Sequence, residues 1–296
     1  DLAFLREVWP WVKANLEGAA AWTDERGLFS GPFWNMFDWS GIDQDQETVL
    51  HNSLLAVGAA DAALRCAEAL GDRAFGAWAK KYRTDLVQSI RACWDRKKGS
   101  LPDSFHADGS PSPKVCLHTN FLGVLYDVFT PAQKKTALRH LQHPPKGMTP
   151  VGAPFAIQYY YEALEKEGLT GAVIDSIRRA FSGMLRHGAT TVWEVFGADW
   201  NGKDGFPTRS HCHAWSSAPI HFLDRIVLGV RPDAVGGAVT WGDALGDTSE
   251  SRTERPRSVS GRVALGGRRA AGAAVRVVGT AAEHRPGLLV RRGLHP

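Results

Sequence analysis

The stretch ETVLHNSLLAVGAADAALRCAEALG (residues 47–71) is followed almost at once by RAFGAWAKKYRTDLVQSIRACW (residues 73–94). The first segment is rich in Leu and Ala and ends at Gly71, a helix C-cap signal. The second is closed by the polar loop Asp95-Arg96-Lys97-Lys98-Gly99. Two long helices joined by a short turn form a hairpin, and the same unit recurs on either side. Leu2 to Ala20 carries Phe4, Leu5, Val8, Trp11, Val12 and Leu16 at helical spacing. Val115 to Phe129 is apolar and leads into Thr130-Pro131, an N-cap with proline at the first helical position, so a helix is expected to about His140, before Pro144-Pro145. Further helices are expected over Phe155 to Glu167, Thr170 to His187 and Ala214 to Leu228. Short strand candidates are Arg26 to Ser30 and Thr190 to Val195. The pattern predicts an all-α protein of about eight helices, paired by alternating short turns and long loops. No fixed-period repeat is present, which favours a closed helical toroid over a repeat array, with the long loops of one end building a site.

The chain changes in kind after Pro232. Helical periodicity vanishes, Phe, Tyr, Ile, Lys, Asn and Gln disappear, and Arg, Gly, Ala and Val dominate. Residues 1–235 therefore read as one domain and 236–296 as an atypical tail, irregular or weakly β, disordered or translated from a shifted reading frame of a GC-rich gene. Within the tail, Val259 to Gly267 and Ala273 to Val278 are weak strand candidates. The tail holds ten Arg and five acids, a net of +5, which leaves −1 for residues 1–235 within the whole-chain +4. The folded part is thus near neutral, and the tail's arginines are scattered among Gly and Ala with Trp241 as the one aromatic, so nucleic-acid binding is excluded as a partner class. Apolar runs are too short and interrupted to span a membrane. Cys66, Cys93, Cys116 and Cys212 lie far apart with no C-x-x-C pair, which fits buried free thiols better than a zinc ribbon or a disulfide scaffold. The chain starts at Asp1 without a charged-then-apolar leader, and its true N-terminus is expected to be missing. Oligomeric state and compartment stay open, with the cytoplasm favoured over secretion.

Three segments concentrate chemistry. In Gly188-Ala189-Thr190-Thr191-Val192-Trp193-Glu194-Val195-Phe196 a carboxylate follows a helix end and is flanked by aromatics. An apolar surround raises a carboxyl pKa and suits proton transfer, and Trp193, Phe196 or Trp200 offers a flat face for a sugar ring. The competing reading is that Glu194 caps a helix or pairs with an arginine. Thr208-Arg209-Ser210-His211-Cys212-His213-Ala214-Trp215-Ser216-Ser217 crowds donors and acceptors ahead of an apolar helix. His211-Cys212-His213 invites a zinc reading, but the three are adjacent with no second ligand pair at the usual spacing, so no metal and no cofactor is expected. Phe33-Trp34-Asn35-Met36-Phe37-Asp38-Trp39-Ser40-Gly41 is an aromatic loop with one carboxylate, which either binds a ligand or plugs the toroid with Trp34 and Phe37 while Asp38 caps a turn.

Taken in order, these segments resemble the catalytic toroid of the α-L-rhamnosidases of glycoside hydrolase family 78. The resemblance rests on Asp38-Trp39 ahead of a long helix pair, on Gly188 to Glu194, and on Ser210 to Trp215 leading into Val227-Leu228-Gly229-Val230-Arg231-Pro232. It spans about 200 residues, and the Thr-Thr-x-Trp-Glu segment is its most specific part. It implies an (α/α)6 barrel and inverting hydrolysis of terminal α-L-rhamnose from a rhamnose-containing glycoside. Glu194 matches the family's general base, His213 a sugar-contacting histidine, and Trp39 an aromatic of the same subsite; Trp193 and Asp38 are carried over as further substrate-binding residues.

The departure is the acid. The family places it in an Asp-rich, Arg-containing segment well before the Asp-Trp loop, and Asp24-Glu25-Arg26 sits in the wrong place for it. About eight of twelve helices tell the same story, so the chain is expected to be the later part of a catalytic domain, with unpaired apolar helix faces. The rival readings are a non-catalytic carbohydrate-binding homologue, a related six-hairpin glycosidase acting on another sugar, and a zinc enzyme using Cys212 and His213.

Overall fold

The computed structural model describes residues 1–196, 210–227, 229–232, 239–241, 258–264, 272–278 and 287–292. It divides into two compact units, Asp1–Lys166 and Glu167–Pro296. Eight α-helices occur among the described residues.

In the first unit, α1 (Leu2–Ala21) starts where the Asp1 carboxylate accepts from the Ala3 and Phe4 amides, groups that a helix start leaves free. α2 (Leu50–Leu70) and α3 (Arg73–Ala92) form the expected hairpin. Gly71 closes α2 with φ 72°, a left-handed conformation that a side chain would strain. Asp72 then caps α3 by accepting from Phe75 N at 3.1 Å, and its other oxygen accepts from Trp9 Nε1 at 2.9 Å and Lys13 Nζ at 3.2 Å. One carboxylate thus starts α3 and fastens α1 to the turn. Ala60, Ala63 and Ala67 keep one face of α2 small, so Trp9 and Leu16 of α1 and Phe75 and Ala79 of α3 close over it. Trp9 and Phe75 meet edge to face at 5.1 Å.

α4 (Leu117–Leu125) is shorter than the apolar run from Val115 to Phe129 predicts, because Asp127, at φ 50°, turns the chain toward the next cap. α5 (Pro131–Gln142) begins with a reciprocal capping box between Thr130 and Gln133, and α6 is Pro154–Lys166. Short turns therefore alternate with three long loops, which are tied to one another. β1 (Thr48–Val49) in the first loop pairs with β2 (Ser104–Phe105) in the second. The second reaches the third through Leu117 N to Thr149 O at 3.0 Å and Thr149 N to Val115 O at 2.9 Å.

In the second unit, α7 is Thr170–Arg186 and α8 is Ala218–Phe222. The single helix expected over Ala214 to Leu228 is instead a 3-10 turn at Ala214–Ser216, α8, and a π-helical stretch at Leu223–Val227. Pro219 is the reason: in a continuous helix its ring would strike the carbonyl of Trp215 and it lacks an amide, so α8 starts afresh just ahead of it. The strand expected at Thr190 to Val195 does not form, and Arg26 to Ser30 contributes one bridge, Phe29 to Thr23. β3 (Val230–Pro232), just before the tail, pairs with β4 (Val239–Trp241) inside it. β5 (Ser258–Ala264), β6 (Gly272–Val278) and β7 (Gly287–Arg292) form an antiparallel sheet in chain order, with the first two near the expected strands. Among the described residues, no helix is long and apolar enough to cross a membrane.

Candidate active site

α7 ends beside Gly188, whose φ of 74° redirects the chain into the Glu194 segment. That segment runs against Ser210 to His213. Glu194 N donates to Ser210 O and His213 N to Val192 O, both at 3.0 Å, and Thr191 Oγ1 donates to the His211 carbonyl. From the 3-10 turn, Ser216 Oγ donates to Trp193 O at 2.6 Å and Trp215 Nε1 to Glu194 O at 3.2 Å. The backbone at Trp193 and Glu194 is therefore pinned by residues more than twenty positions further on, which is how two sequence segments become one site.

The side chains follow from this frame. Trp193 is buried, its ring 5.3 Å from His211 and 6.1 Å from His187. The Glu194 side chain is 12% exposed, and its Oε2 lies 3.9 Å from His213 Nδ1. The His213 ring packs on Trp215 at 4.3 Å and is a third exposed. A largely buried carboxylate on a fixed backbone and beside an imidazole has the chemistry to exchange a proton with a bound water. Cys212 is exposed. Among the described residues, no group of three or more His, Cys, Asp and Glu side chains is arranged to hold a metal ion. Trp200, Thr208 and Arg209 lie outside the described residues.

In the first unit, the aromatic loop divides by function. Phe37 is buried, stacked on His51 at 5.1 Å and edge-on to His118 at 5.8 Å, while Trp34 is exposed, so only Phe37 plugs the interior. Asp38 Oδ2 lies 2.7 Å from His118 Nε2 and accepts from Gly152 N at 2.7 Å. Gln44 holds the same loop, accepting from Phe37 N and donating to Asp38 O, each at 2.8 Å. Trp39, next along, is 37% exposed. A Cβ on Gly152 would collide with the Trp39 carbonyl oxygen, so only glycine lets the third long loop close on the first. His51 donates through Nε2 to Asn35 O at 2.9 Å, and burial, with His118 nearby, pushes its pKa down from 6.5 to about 3.

Asp24-Glu25-Arg26 has a structural task. Asp24 accepts from the amides of Arg26 and Leu28 at 2.9 and 3.0 Å and pairs with the Arg26 guanidinium at 2.7 Å. These residues border a cavity of about 480 Å³ beside His106 and Asp108. Burial works to raise the nearby Asp43 carboxyl, but hydrogen bonds from His106, Ser112 and Ser104 outweigh it and bring it to about 2.

The sequence reading groups Glu194, His213, Trp193, Asp38 and Trp39 in one sugar pocket; the structure brings Trp193, Glu194 and His213 together in the second unit and sets Asp38 beside Trp39 in the first. The sequence reading misses His118, Gln44, His51 and Gly152. The available signal was His118-Thr119-Asn120, a polar triplet inside an apolar helix, all three wholly or almost wholly buried.

The chain matches the family model of the bacterial α-L-rhamnosidase six-hairpin glycosidase domain over residues 1–227. A crystal structure of a family 78 rhamnosidase from Bacillus sp. GL1 is similar at 32% identity and TM-score 0.84, covering 95% of this chain and 29% of that one. A rhamnosidase from Klebsiella oxytoca with rhamnose bound is similar at 24% identity and TM-score 0.62, covering 76% of this chain and 43% of that one. A native α-L-rhamnosidase from Aspergillus terreus shares the fold at 14% identity and TM-score 0.62, covering 94% of this chain and 32% of that one. The chain thus spans less than half the length of each. No curated protein matches it.

Proposed function

Because the chain belongs to the bacterial α-L-rhamnosidase six-hairpin glycosidase family, we propose that it carries the base side of an inverting site for terminal α-L-rhamnosides. Glu194 takes a proton from water, which attacks the anomeric carbon on the face opposite the leaving group. His213 contacts the sugar through its open ring edge; Trp39, in the first unit, keeps an exposed ring suited to an apolar sugar face. Asp38 and Trp193 are buried, so both act as positioning residues, Asp38 through the backbone of Trp39 and Trp193 through that of Glu194. The observation that carries this reading is the Glu194 carboxylate, on a pinned backbone and 3.9 Å from His213, inside the family-matched segment.

Inversion needs a second, protonated carboxyl group roughly 6.5–9.5 Å from the base. We assign it to helices outside this chain. A six-hairpin domain has twelve helices, and eight α-helices occur among the described residues. Phe4 and Trp11, seven residues apart and so on one face of α1, are 61% and 77% exposed, which supports a neighbouring hairpin there. On this reading residues 1–235 are the later part of the catalytic domain and 236–296 a separate segment.

Calorimetric titration of the chain with L-rhamnose, and with D-glucose as control, tests the sugar site. Saturable L-rhamnose binding that survives Glu194→Gln and is lost in His213→Ala supports the reading. Equal binding of both sugars, or of neither, contradicts it.

A further inference from the structure

A groove of about 690 Å³ lies in the first unit between the loop after α3 and one face of α5, and none of the residues assigned to rhamnose lines it. Its charged lining is wholly basic: Arg96, Lys97 and Lys98 on the loop, Arg139 on the helix. Among the described residues no carboxylate pairs with Arg96 or Arg139; Lys98 and Lys97 stand by the Asp95 carboxylate and help hold its pKa down, and Lys98 Nζ donates to the Pro113 carbonyl at 2.7 Å. Asp95 is taken up by the loop itself, accepting from the Lys97 and Lys98 amides at 2.8 and 3.1 Å, which turns that run of cations around one point. Gly99, at φ 63°, seats the loop against α5: a Cβ there would lie 2.9 Å from Thr136 Cγ2.

The groove is long and polar. From Thr130 to Arg139 it follows the helix for about 13 Å, starting at the positive N-terminal end of α5. Gln133, whose Oε1 is taken by the capping box, leaves its side-chain amino group, and Thr136, whose hydroxyl donates to Ala132 O, leaves an acceptor oxygen along it. Trp94 stands at the wall with its ring held edge-on to Phe129 at 5.2 Å. His140 lines the groove while only 6% exposed, and its buried Nδ1 has no hydrogen-bond partner among the described residues.

We propose that this groove binds a linear acidic glycan, its carboxylate or sulfate groups held by Arg96, Lys97, Lys98 and Arg139 and its hydroxyls by Gln133 and Thr136. Three consecutive cations on the loop and a fourth across from them on α5 offer positive charge from both walls, which suits an anionic chain lying between them. A glycan is favoured over single-stranded nucleic acid because one fixed indole does not make a run of stacking platforms. The groove shares no lining residue with the rhamnose reading and does not depend on it.

The test is a titration of the full chain with hexagalacturonate at low and high salt, alongside neutral maltohexaose and a single-stranded DNA hexamer. Hexagalacturonate should bind at low salt, weaken as salt rises, and be unaffected by excess L-rhamnose. The triple variant Arg96→Ala/Lys97→Ala/Arg139→Ala should weaken it about tenfold or more. All three side chains are exposed, so the variant should melt like the wild type, and Arg139→Ala alone provides a milder check. Failure to bind, equal binding of maltohexaose, tighter binding of the DNA, displacement by L-rhamnose, or indifference to the triple variant overturns the proposal.

Discussion

His118 Nε2 and Asp38 Oδ2 lie 2.7 Å apart, and solvent reaches neither side chain. Eighty residues separate them in the chain, yet the contact joins α4 to the loop that carries Trp39. Removing the imidazole strands a buried carboxyl group, which costs about 3–5 kcal/mol when one partner of a buried pair is deleted. His118→Ala should therefore lower the unfolding free energy by about that much in urea titrations. His118→Gln, which keeps a donor, should recover part of it. A loss below about 1 kcal/mol for the alanine variant would contradict the assigned contact.

His51 sets an acid limit. Its folded pKa of about 3 lies below the ordinary 6.5, so the unfolded chain binds a proton at pH values where the fold does not. The contribution is full above pH 6.5 and declines as pH falls toward about 3, at about 1.4 kcal/mol per pH unit. From pH 7 to pH 5 this one site should remove about 2 kcal/mol of stability. His51→Asn, which keeps a donor for Asn35 O, should flatten that part of the stability–pH curve; an unchanged slope would rule out His51 as its source.

Glycine replacements should split by position. Gly152→Ala drives a Cβ into the Trp39 carbonyl and should cost about 1–3 kcal/mol while weakening L-rhamnose binding. Gly18, inside α1 with open space around it, should behave oppositely: Gly18→Ala is expected to stabilise by about 0.5–1 kcal/mol. Thermal melts and sugar titrations of the two variants check both signs, and equal effects would contradict the packing described.

Local features were the legible ones. Gly71 ends α2 and Thr130-Pro131 opens α5 because caps depend on a few neighbouring residues. The Ala214 to Leu228 stretch misled because its apolar spacing hides Pro219, which breaks the helix into three kinds of turn. Thr190 to Val195 alternates like a strand, but among the described residues two backbone hydrogen bonds, to Ser210 and from His213, join it to the segment it runs against, too few for a ladder. The rhamnosidase segments marked Glu194 and His213. The residues that hold the Asp38 loop stayed hidden, because the pairings of His118 and Gly152 with Asp38 span 80 and 114 positions and leave no periodic trace.

The most direct measurement follows hydrolysis of an aryl α-L-rhamnoside by proton NMR, using this chain within a complete six-hairpin domain. Inversion with Glu194 as base predicts that β-L-rhamnose appears first, and that Glu194→Gln slows turnover about 10³-fold with rhamnose binding retained. First appearance of the α-anomer, or near-normal turnover in Glu194→Gln, would contradict the assignment.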